Sequence, residues 1–304
     1  LSLRRQRQMC IRDRNNRGMY NYSEWMQLLG ERENRQAWAA GNFETESGVV
    51  LDFQIGVSKR ESDLVMAPVP MGLGAQVTYG TLIPKDNPFM PESIRDATPD
   101  TGLPYRKRML DVGPRLFNQE ANTYRMEFGA TGTLDLLGAD WEAYYTYQNF
   151  HQAQVTRNYI NMLAVENAFD VEAGAGIDVN GTQYRCKDEI ARQLGCVPLN
   201  MFGPNSITEG AADYIRQNEK NTYGTTYHGY AFNLTNIPLY ELPAGEILMA
   251  GGIEIVDLAG YETVDGLTEA GGSSGNPRLS TKGSYDSRDI YAAVSYTHLR
   301  AHET

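Results

Sequence analysis

The stretch Val49-Val50-Leu51-Asp52-Phe53-Gln54-Ile55-Gly56-Val57-Ser58-Lys59 sets Val49, Leu51, Phe53, Ile55 and Val57 two residues apart. Side chains alternate between the two faces of a strand, so all five fall on one face if the chain is extended, whereas a helix would scatter them around its circumference. Such a run reads as a strand with one apolar side. Residues 34–44 then read as its hairpin partner across a turn at Glu46-Ser47-Gly48.

The same alternation returns further along. Tyr124, Met126, Phe128 and Ala130 share a face, with Arg125, Glu127 and Thr131 interleaved; after a turn near Leu137-Gly138-Ala139 come Trp141, Ala143, Tyr145 and Tyr147, with Glu142, Thr146 and Gln148 between them. Residues 154–160 are expected to form a third strand of that meander. Residues 221–234 and 245–256 read as a hairpin around Pro238 and Pro243, its second strand carrying Ile247, Met249, Ile253 and Ile255 on one face, and a last strand runs from Tyr285 through Asp289 and Tyr291 to Ala293. The pattern predicts about eight strands of roughly ten residues, the span that crosses a bilayer when tilted.

Long stretches without alternation separate these strands on one side only. Residues 61–119 contain Pro68, Pro70, Pro84, Pro88, Pro91, Pro99, Pro104 and Pro114, residues 165–217 are expected to hold short helices, and residues 265–283 are rich in Gly and Ser. Ser206-Ile207-Thr208-Glu209 fits a capping box opening a helix over 211–217. Short turns at one side and long loops at the other are the habit of transmembrane barrels, where a soluble sandwich has loops of more even length. Tyr124, Tyr144, Tyr147, Tyr223, Tyr230, Tyr261 and Tyr291, near strand ends, suit aromatic girdles at a lipid–water boundary.

Composition narrows the classes. The hydrophobic fraction is 41% over 304 residues, yet no apolar run approaches the 18 or so residues of a membrane helix. Residues 247–253 come nearest, but Gly251 and Gly252 interrupt them and Glu246 and Glu254 flank them. A net charge of −11 would repel phosphate and argues against a nucleic-acid partner. Residues 1–14, with five Arg and one Asp, and residues 294–304 break in character from the rest, and both resemble translated adaptor sequence; they are expected to be non-native flanks around a fragment spanning 15–293. The first stretch has no apolar segment or cleavage site of the kind a signal peptide needs.

Cys196-Val197-Pro198-Leu199-Asn200-Met201-Phe202-Gly203, followed by Ser206-Ile207-Thr208 and Ala212-Asp213-Tyr214-Ile215, resembles a segment of proteobacterial TonB-dependent receptors. Leu242-Pro243-Ala244-Gly245-Glu246, Ala250-Gly251-Gly252-Ile253-Glu254, Gly275-Asn276-Pro277, Gly283-Ser284-Tyr285-Asp286 and Asn87-Pro88-Phe89 continue the likeness, which spans most of residues 20–293. The resemblance implies an all-β chain: a partial antiparallel transmembrane β-barrel, about eight strands of a barrel of roughly 22, with long extracellular loops containing short helices. It implies active import across the outer membrane of a Gram-negative bacterium of a scarce nutrient such as a siderophore, cobalamin or oligosaccharide. The TonB complex would act through an amino-terminal plug outside this sequence, and outer-membrane lipid would surround the wall. No enzyme activity, cofactor or metal is expected. The resemblance assigns no substrate-binding residue, and the loops 61–119 and 165–217 are where ligand contact is expected.

Cys186 and Cys196 are spaced to close a loop by a disulfide in a chain that passes through an oxidising periplasm, which would restrict that loop by roughly 2–3 kcal/mol. Two free thiols are the alternative, and the lack of a nearby His or second Cys pair speaks against zinc. Gly271-Gly272-Ser273-Ser274-Gly275 matches a hydrolase nucleophile pattern without the strand, helix and later His that chemistry needs, so it reads as a flexible loop. His298 and His302 lie in the flank and lack a third ligand. His151 and His228 read as lumen-side polar residues, and Asn180-Gly181-Thr182 and Asn233-Leu234-Thr235 carry no meaning as glycosylation patterns in a bacterial protein. Two other readings remain: a secreted β-rich enzyme acting on polysaccharide, which needs a pair of carboxylates in one cleft, and a passive porin.

Overall fold

The structure, a computed structural model, describes residues 20–25, 27, 29–72, 81–174, 183–243 and 245–296. In chain order its strands are β1 (Glu31–Glu44), β2 (Val50–Met66), β3 (Pro70–Gly72), β4 (Arg106–Arg108), β5 (Arg115–Leu134), β6 (Ala139–Ile160), β7 (Val171–Ala173), β8 (Tyr184–Cys186), β9 (Arg216–Leu242), β10 (Gly245–Thr263) and β11 (Thr281–Tyr296). The helices are α1 (Glu92–Arg95), α2 (Met162–Phe169), α3 (Glu189–Gln193), α4 (Glu209–Ile215) and α5 (Gly266–Glu269). The chain is all-β in character: one antiparallel sheet in the order β1-β2-β5-β6-β9-β10-β11 dominates it, with β3-β4 and β7-β8 as small ribbons in the loops.

The sheet has seven strands where the alternation predicts about eight, and they run from 14 to 27 residues where ten or so are expected. The two differences have one cause. Pairing continues well past the apolar segments through side chains that bond to each other, as where Gln119 Nε2 donates to Gln154 Oε1 at 2.8 Å across the pair Gln119↔Gln154. Residues 154–160 are therefore the continuation of β6 and not a separate strand. At its other end β11 runs three residues into the stretch set apart by composition, reaching Tyr296. β9 absorbs extra residues opposite Leu248 and Gly251, and Pro238, which has no N–H to give a ladder, sits at one of these bulges.

β1–β2, β5–β6 and β9–β10 are joined by short turns at one end of the sheet. The first closes through Thr45, whose N–H donates to the Val49 carbonyl at 2.8 Å, with Gly48 at φ 76°, where a side chain would be strained. At the opposite end lie the described parts of the connections, residues 67–72, 81–114, 161–174, 183–215 and 264–280, and here the protein keeps its packed interior. Met71, Ile83, Met109, Ile160, Phe169, Leu199 and Ile215 are fully buried in one apolar cluster built mainly from the two longer loops. Each such side chain stabilises by about 1.5–3 kcal/mol through area removed from water.

Polar clips join these loops. Buried Asn87 donates from Nδ2 to the Phe169 carbonyl at 2.9 Å and accepts from the Phe89 N–H at 3.0 Å, which fixes the first long loop to the end of α2. Lys107 Nζ donates to the carbonyls of Met201 and Gly203 and to Ser206 Oγ. Ser206 is thus not the helix cap: Thr208 takes that role, accepting from the Ala211 N–H at 3.2 Å, because the Ser206 hydroxyl is spent on the Asn200 and Gly203 carbonyls. The third loop is clasped as well. The Met162 N–H donates to the Gly272 carbonyl at 2.8 Å, and Ser274 exchanges bonds with Ile160 through its backbone N–H and its hydroxyl. The Gly271–Gly275 segment is therefore tied down, against the expectation of a flexible loop.

Glu219 on β9 is the one buried carboxylate among the described residues. It accepts from Arg278 Nη2 at 2.6 Å and Thr268 Oγ1 at 2.9 Å, which tie the third loop to the sheet, and from its strand neighbour Asn221 Nδ2 at 2.5 Å. A charge in such a place needs both its counter-ion and its hydrogen bonds. Arg278→Ala should loosen the third loop by about 1–3 kcal/mol, read as faster amide exchange over residues 266–275, while Glu219→Gln, which keeps two donors satisfied, should cost less. Unchanged exchange in Arg278→Ala would show that the loop is held by its backbone clasp alone.

Candidate functional site

The strand register sorts every sheet residue onto one of two faces, and the two differ in chemistry. One face carries successive cross-strand rows. One row is Phe43, Leu51, Ala130, Ala143, Phe232, Ile253 and Ile290; the next towards the loops is Gly41, Phe53, Phe128, Tyr145, Tyr230, Ile255 and Arg288. Then follow Ala39, Ile55, Met126, Tyr147, His228, Asp257 and Asp286, and above them Ala37, Val57, Tyr124, Asn149, Thr226, Ala259 and Ser284. Phe53, Phe128, Tyr230, Phe232, Ile253 and Ile290 on this face are all exposed, since no other layer covers them.

The apolar band on that face runs obliquely. Climbing from the turns, the first polar residue is Arg35 on β1, Lys59 on β2 and Asn122 on β5, all in one row. It is Asn149 one row lower on β6, His228 and Asp257 two rows lower on β9 and β10, and Arg288 three rows lower on β11. The lower margin moves the same way: the band ends at Phe43 on β1 but continues through Ala292 and Val294 on β11. Three rows are six residues, about 20 Å along a strand, and six strand spacings are about 29 Å, so the margin crosses the strands at a slope of roughly 35°. Strands of membrane barrels tilt by about that angle.

The other face is polar. Towards the loops it is roofed over: Ala121, Thr156, Glu219 and Asn221 are buried there under the third loop and its neighbours. Below the roof lies an open hollow of about 630 Å³ lined by Asp52, Arg125, Glu127, Glu142, Tyr144, Thr146, Gln148, Tyr227 and Glu254. Arg125 Nη2 pairs with Glu127 Oε2 at 2.9 Å, and Asn233 links Glu142 to Tyr291 by donating to Glu142 Oε1 at 2.6 Å and accepting from the Tyr291 hydroxyl at 2.8 Å. Gly129 lets the Asp52 carboxylate lie flat over the next strand; a Cβ at that position would collide with it. The hollow offers many acceptors, one guanidinium and two aromatic rings, an array suited to holding a polar ligand or a polar surface of another polypeptide segment.

Arg125, Glu127, Glu142, Thr146 and Gln148 are the residues the sequence interleaves between apolar ones, and the register adds Asp52, Tyr227 and Glu254, which come from strands distant in sequence. The tyrosines divide. Tyr124, Tyr147, Tyr230 and Tyr261 lie on the apolar side as a girdle requires, but Tyr144, Tyr223 and Tyr291 fall on the polar side, because strand parity rather than position near an end decides the face. The histidines are also reversed from expectation. His228 shares the face of Tyr145, whose hydroxyl lies 2.9 Å from its Nδ1, and His151 Nδ1 lies 3.0 Å from the Tyr261 hydroxyl, so both sit at the upper margin of the apolar band and not in a lumen.

Cys186 and Cys196 are joined by a disulfide, with Cα atoms 6.3 Å apart, which closes β8 and α3 into a loop. The segment after it acts as a packing wedge. Pro198 and Leu199 are buried, Val197 and Phe202 pack against the loop core, and the Leu199 N–H donates to the Ala168 carbonyl at 2.9 Å. Asn200 Oδ1 accepts from the Phe202 N–H at 3.0 Å, and Gly203 takes φ 97°. Cys196 through Gly203 therefore pack into the loop core. Asn233 sits in the middle of β9, while Asn180-Gly181-Thr182, His298 and His302 lie outside the described residues. Among the described residues no group of three or more His, Cys, Asp or Glu is arranged to hold a metal, and no helix is long and apolar enough to cross a membrane, which says nothing of strands.

No protein-family model, no curated protein and no solved structure matches the chain.

Lys187 bridges the two long loops by pairing with Asp86 at 2.8 Å and Asp170 at 2.7 Å. The hydrogen bond from Lys187 holds the Asp86 carboxyl below its ordinary value, and the hydrogen bonds from Asp170 and Asp86 raise the Lys187 ammonium above its own. A depressed carboxyl contributes stability that is present above its ordinary value and lost as pH falls through the folded one; a raised ammonium contributes stability lost as pH rises through its folded value. The clip should hold through neutral pH and release first on acidification. It is solvent-screened, so Lys187→Met should lower the stability of the loop core by no more than about 1 kcal/mol at pH 7 and progressively less on acidification, measured by proteolysis within residues 183–195.

Proposed function

We propose that the chain is a portion of the wall of an outer-membrane TonB-dependent transporter, with the apolar face against lipid, the polar face towards the lumen, and the folded loops on the extracellular side. The observation that carries this reading is the oblique apolar band, whose loop-side margin drops by three rows between β1 and β11. The four rows on β1, on a strand inclined at roughly 35°, give a height near 22 Å, close to the apolar belt of about 25 Å on barrels of this kind. A sheet packing on a second soluble layer has no reason to shift its apolar margin in one direction across all seven strands.

The loops support the same reading. They meet over the polar face and leave the apolar face bare, which is the arrangement a wall needs if one side is lipid and the other a guarded passage. The likeness of residues 196–215 to TonB-dependent receptors gives the energy source: a plug filling the lumen, moved by TonB because the outer membrane has no nucleotide triphosphate to spend. On this reading the hollow lined by Arg125, Glu127 and Glu142 faces the plug or the passing nutrient, and the exposed surface of the loop core meets the nutrient first. The edges of β1 and β11 would pair with further strands of the same wall, since open backbone in hydrocarbon costs several kcal/mol per group.

Residues 15–293 expressed without lipid should form insoluble material, because an apolar face and two strand edges meet water; a soluble monomer with cooperative unfolding would sink the wall reading. In a bilayer, Met126→Arg on the apolar face should destabilise insertion by about 2–4 kcal/mol, while Gln148→Arg on the polar face should change it little, read by urea titration of vesicle-inserted protein. Equal effects of the two would mean that neither face touches lipid.

A further inference from the structure

We infer that the hollow on the polar face is a binding site for a neutral oligosaccharide, with Tyr144 and Tyr227 as platforms and Asp52, Gln148 and Glu254 accepting from its hydroxyls. This rests on the transporter-wall reading above and deepens it by naming the class of nutrient the passage takes. Asp52, Gly129, Tyr144, Ala231 and Glu254 lie in one cross-strand row from β2 to β10. Tyr144 stands at the centre of that row, beside Gly129 on β5 and Ala231 on β9, neither of which has a side chain beyond Cβ. Its ring is therefore open on both flanks. Gly129 carries the Asp52 carboxylate over its bare backbone, which brings that acceptor next to the ring.

Two rows nearer the loops, Tyr227 lies directly opposite Gln148. The far end of its ring is folded down over Gly229, where a Cβ would meet the hydroxyl oxygen at 2.6 Å and the ring at 2.9 Å. Tyr291 is laid over Gly252 in the same way and is fixed there by donating to Asn233 Oδ1 at 2.8 Å. A tyrosine folded along a sheet makes part of the floor of the hollow, where a standing one would fill it.

A pyranose has a patch of C–H groups on one side and hydroxyls around its rim. The patch packs on an aromatic ring, and each hydroxyl both donates and accepts. The hollow matches both halves. Asp52, Gln148 and Glu254 have no ion-pair or hydrogen-bond partner among the described residues, so their acceptors are free for a ligand. Arg125 is already paired with Glu127. An anionic ligand, a phosphate or a carboxylate iron chelate, would add negative charge beside Asp52, Glu127, Glu142 and Glu254. A small cation is no better served. Asp52 and Glu254 stand four strand spacings apart, about 19 Å, and among the described residues no three such groups gather to hold a metal. A ligand that reaches both is extended, and a hollow of about 630 Å³ has the size to take one.

The test uses the full chain refolded into phosphatidylcholine vesicles, with insertion read by urea titration and binding by equilibrium dialysis. The probes are maltohexaose, cellohexaose and xylohexaose, with a glucosamine hexamer, a galacturonate hexamer and ferric citrate as charged comparisons. At least one neutral hexamer should bind more tightly than every charged probe. Tyr144→Ala and Tyr227→Ala should each weaken it by roughly three- to tenfold, while Tyr227→Phe keeps most of the affinity. Gly229→Ala, which lifts the Tyr227 ring without removing it, should weaken binding as well, and Tyr124→Ala on the apolar face should not. Insertion with no neutral hexamer bound would overturn the sugar proposal and leave the wall reading standing; it is the result expected of a face that packs another polypeptide segment. Tighter binding of the glucosamine hexamer, the galacturonate hexamer or ferric citrate would overturn it too, by showing that charge selects the ligand. Sugar bound without insertion would overturn the wall reading and keep the site, and loss of both would overturn the two together.

Discussion

Every other feature of this chain follows from a two-residue period kept in phase across seven paired strands. One strand with alternating side chains has two chemically distinct sides, but only the register makes those sides continuous, since a slip of one residue would carry Phe53 or Phe128 to the opposite face. Here Phe53, Phe128, Tyr145 and Tyr230 lie opposite one another in a single row, and Arg125, Glu127, Glu142 and Glu254 all fall behind them. The sheet is thereby a partition with an apolar and a polar side, and the remaining question is what each side touches.

The loops answer part of it. Most β proteins bury the apolar face of the sheet and leave the connections outside, whereas here most of the apolar cluster belongs to the connections. Phe169, Leu199, Met109 and Ile215 form a core with the segments around them, closed by the Cys186–Cys196 disulfide, the Asn87 amide and the Lys107 ammonium. Long loops gain little from local structure, and closing them costs entropy that grows slowly with length. Once two such loops meet, each supplies the apolar partner the other lacks, and the pair becomes a folded cap rather than two mobile strands of chain. A rigid cap over the polar face fits a passage whose entrance is shaped in advance.

Much of this was legible in the residues themselves. The alternations around Phe53, Met126 and Tyr145 give the strands and their apolar side, the proline-rich and helix-prone stretches give the loops, and Arg125, Glu127 and Glu142 can be read as the polar side directly. Three things were not legible, each for a physical reason. Strand ends escaped because polar side chains such as Gln119 and Gln154 pair as well as apolar ones, so pairing outlasts the pattern that signals it. The faces of Tyr144, Tyr291, His151 and His228 escaped because an amphipathic ring suits either side and only strand parity decides. The Glu219–Arg278 pair escaped because its members are separated by most of a hairpin and a loop, and nothing in the local sequence marks a carboxylate for burial.

The slope of the apolar margin ties these levels together. Rows in a register are perpendicular to the strands, so a boundary that followed the rows would mean that the surrounding medium is blind to any axis but the strand's own. A boundary that falls from Lys59 to Asn149 to Asp257 to Arg288 follows a line inclined to the strands, and on the transporter-wall reading that line is set by the surrounding medium. A planar layer of hydrocarbon has such an axis, its normal, and a neighbouring protein layer has none that must stay constant over so many strands.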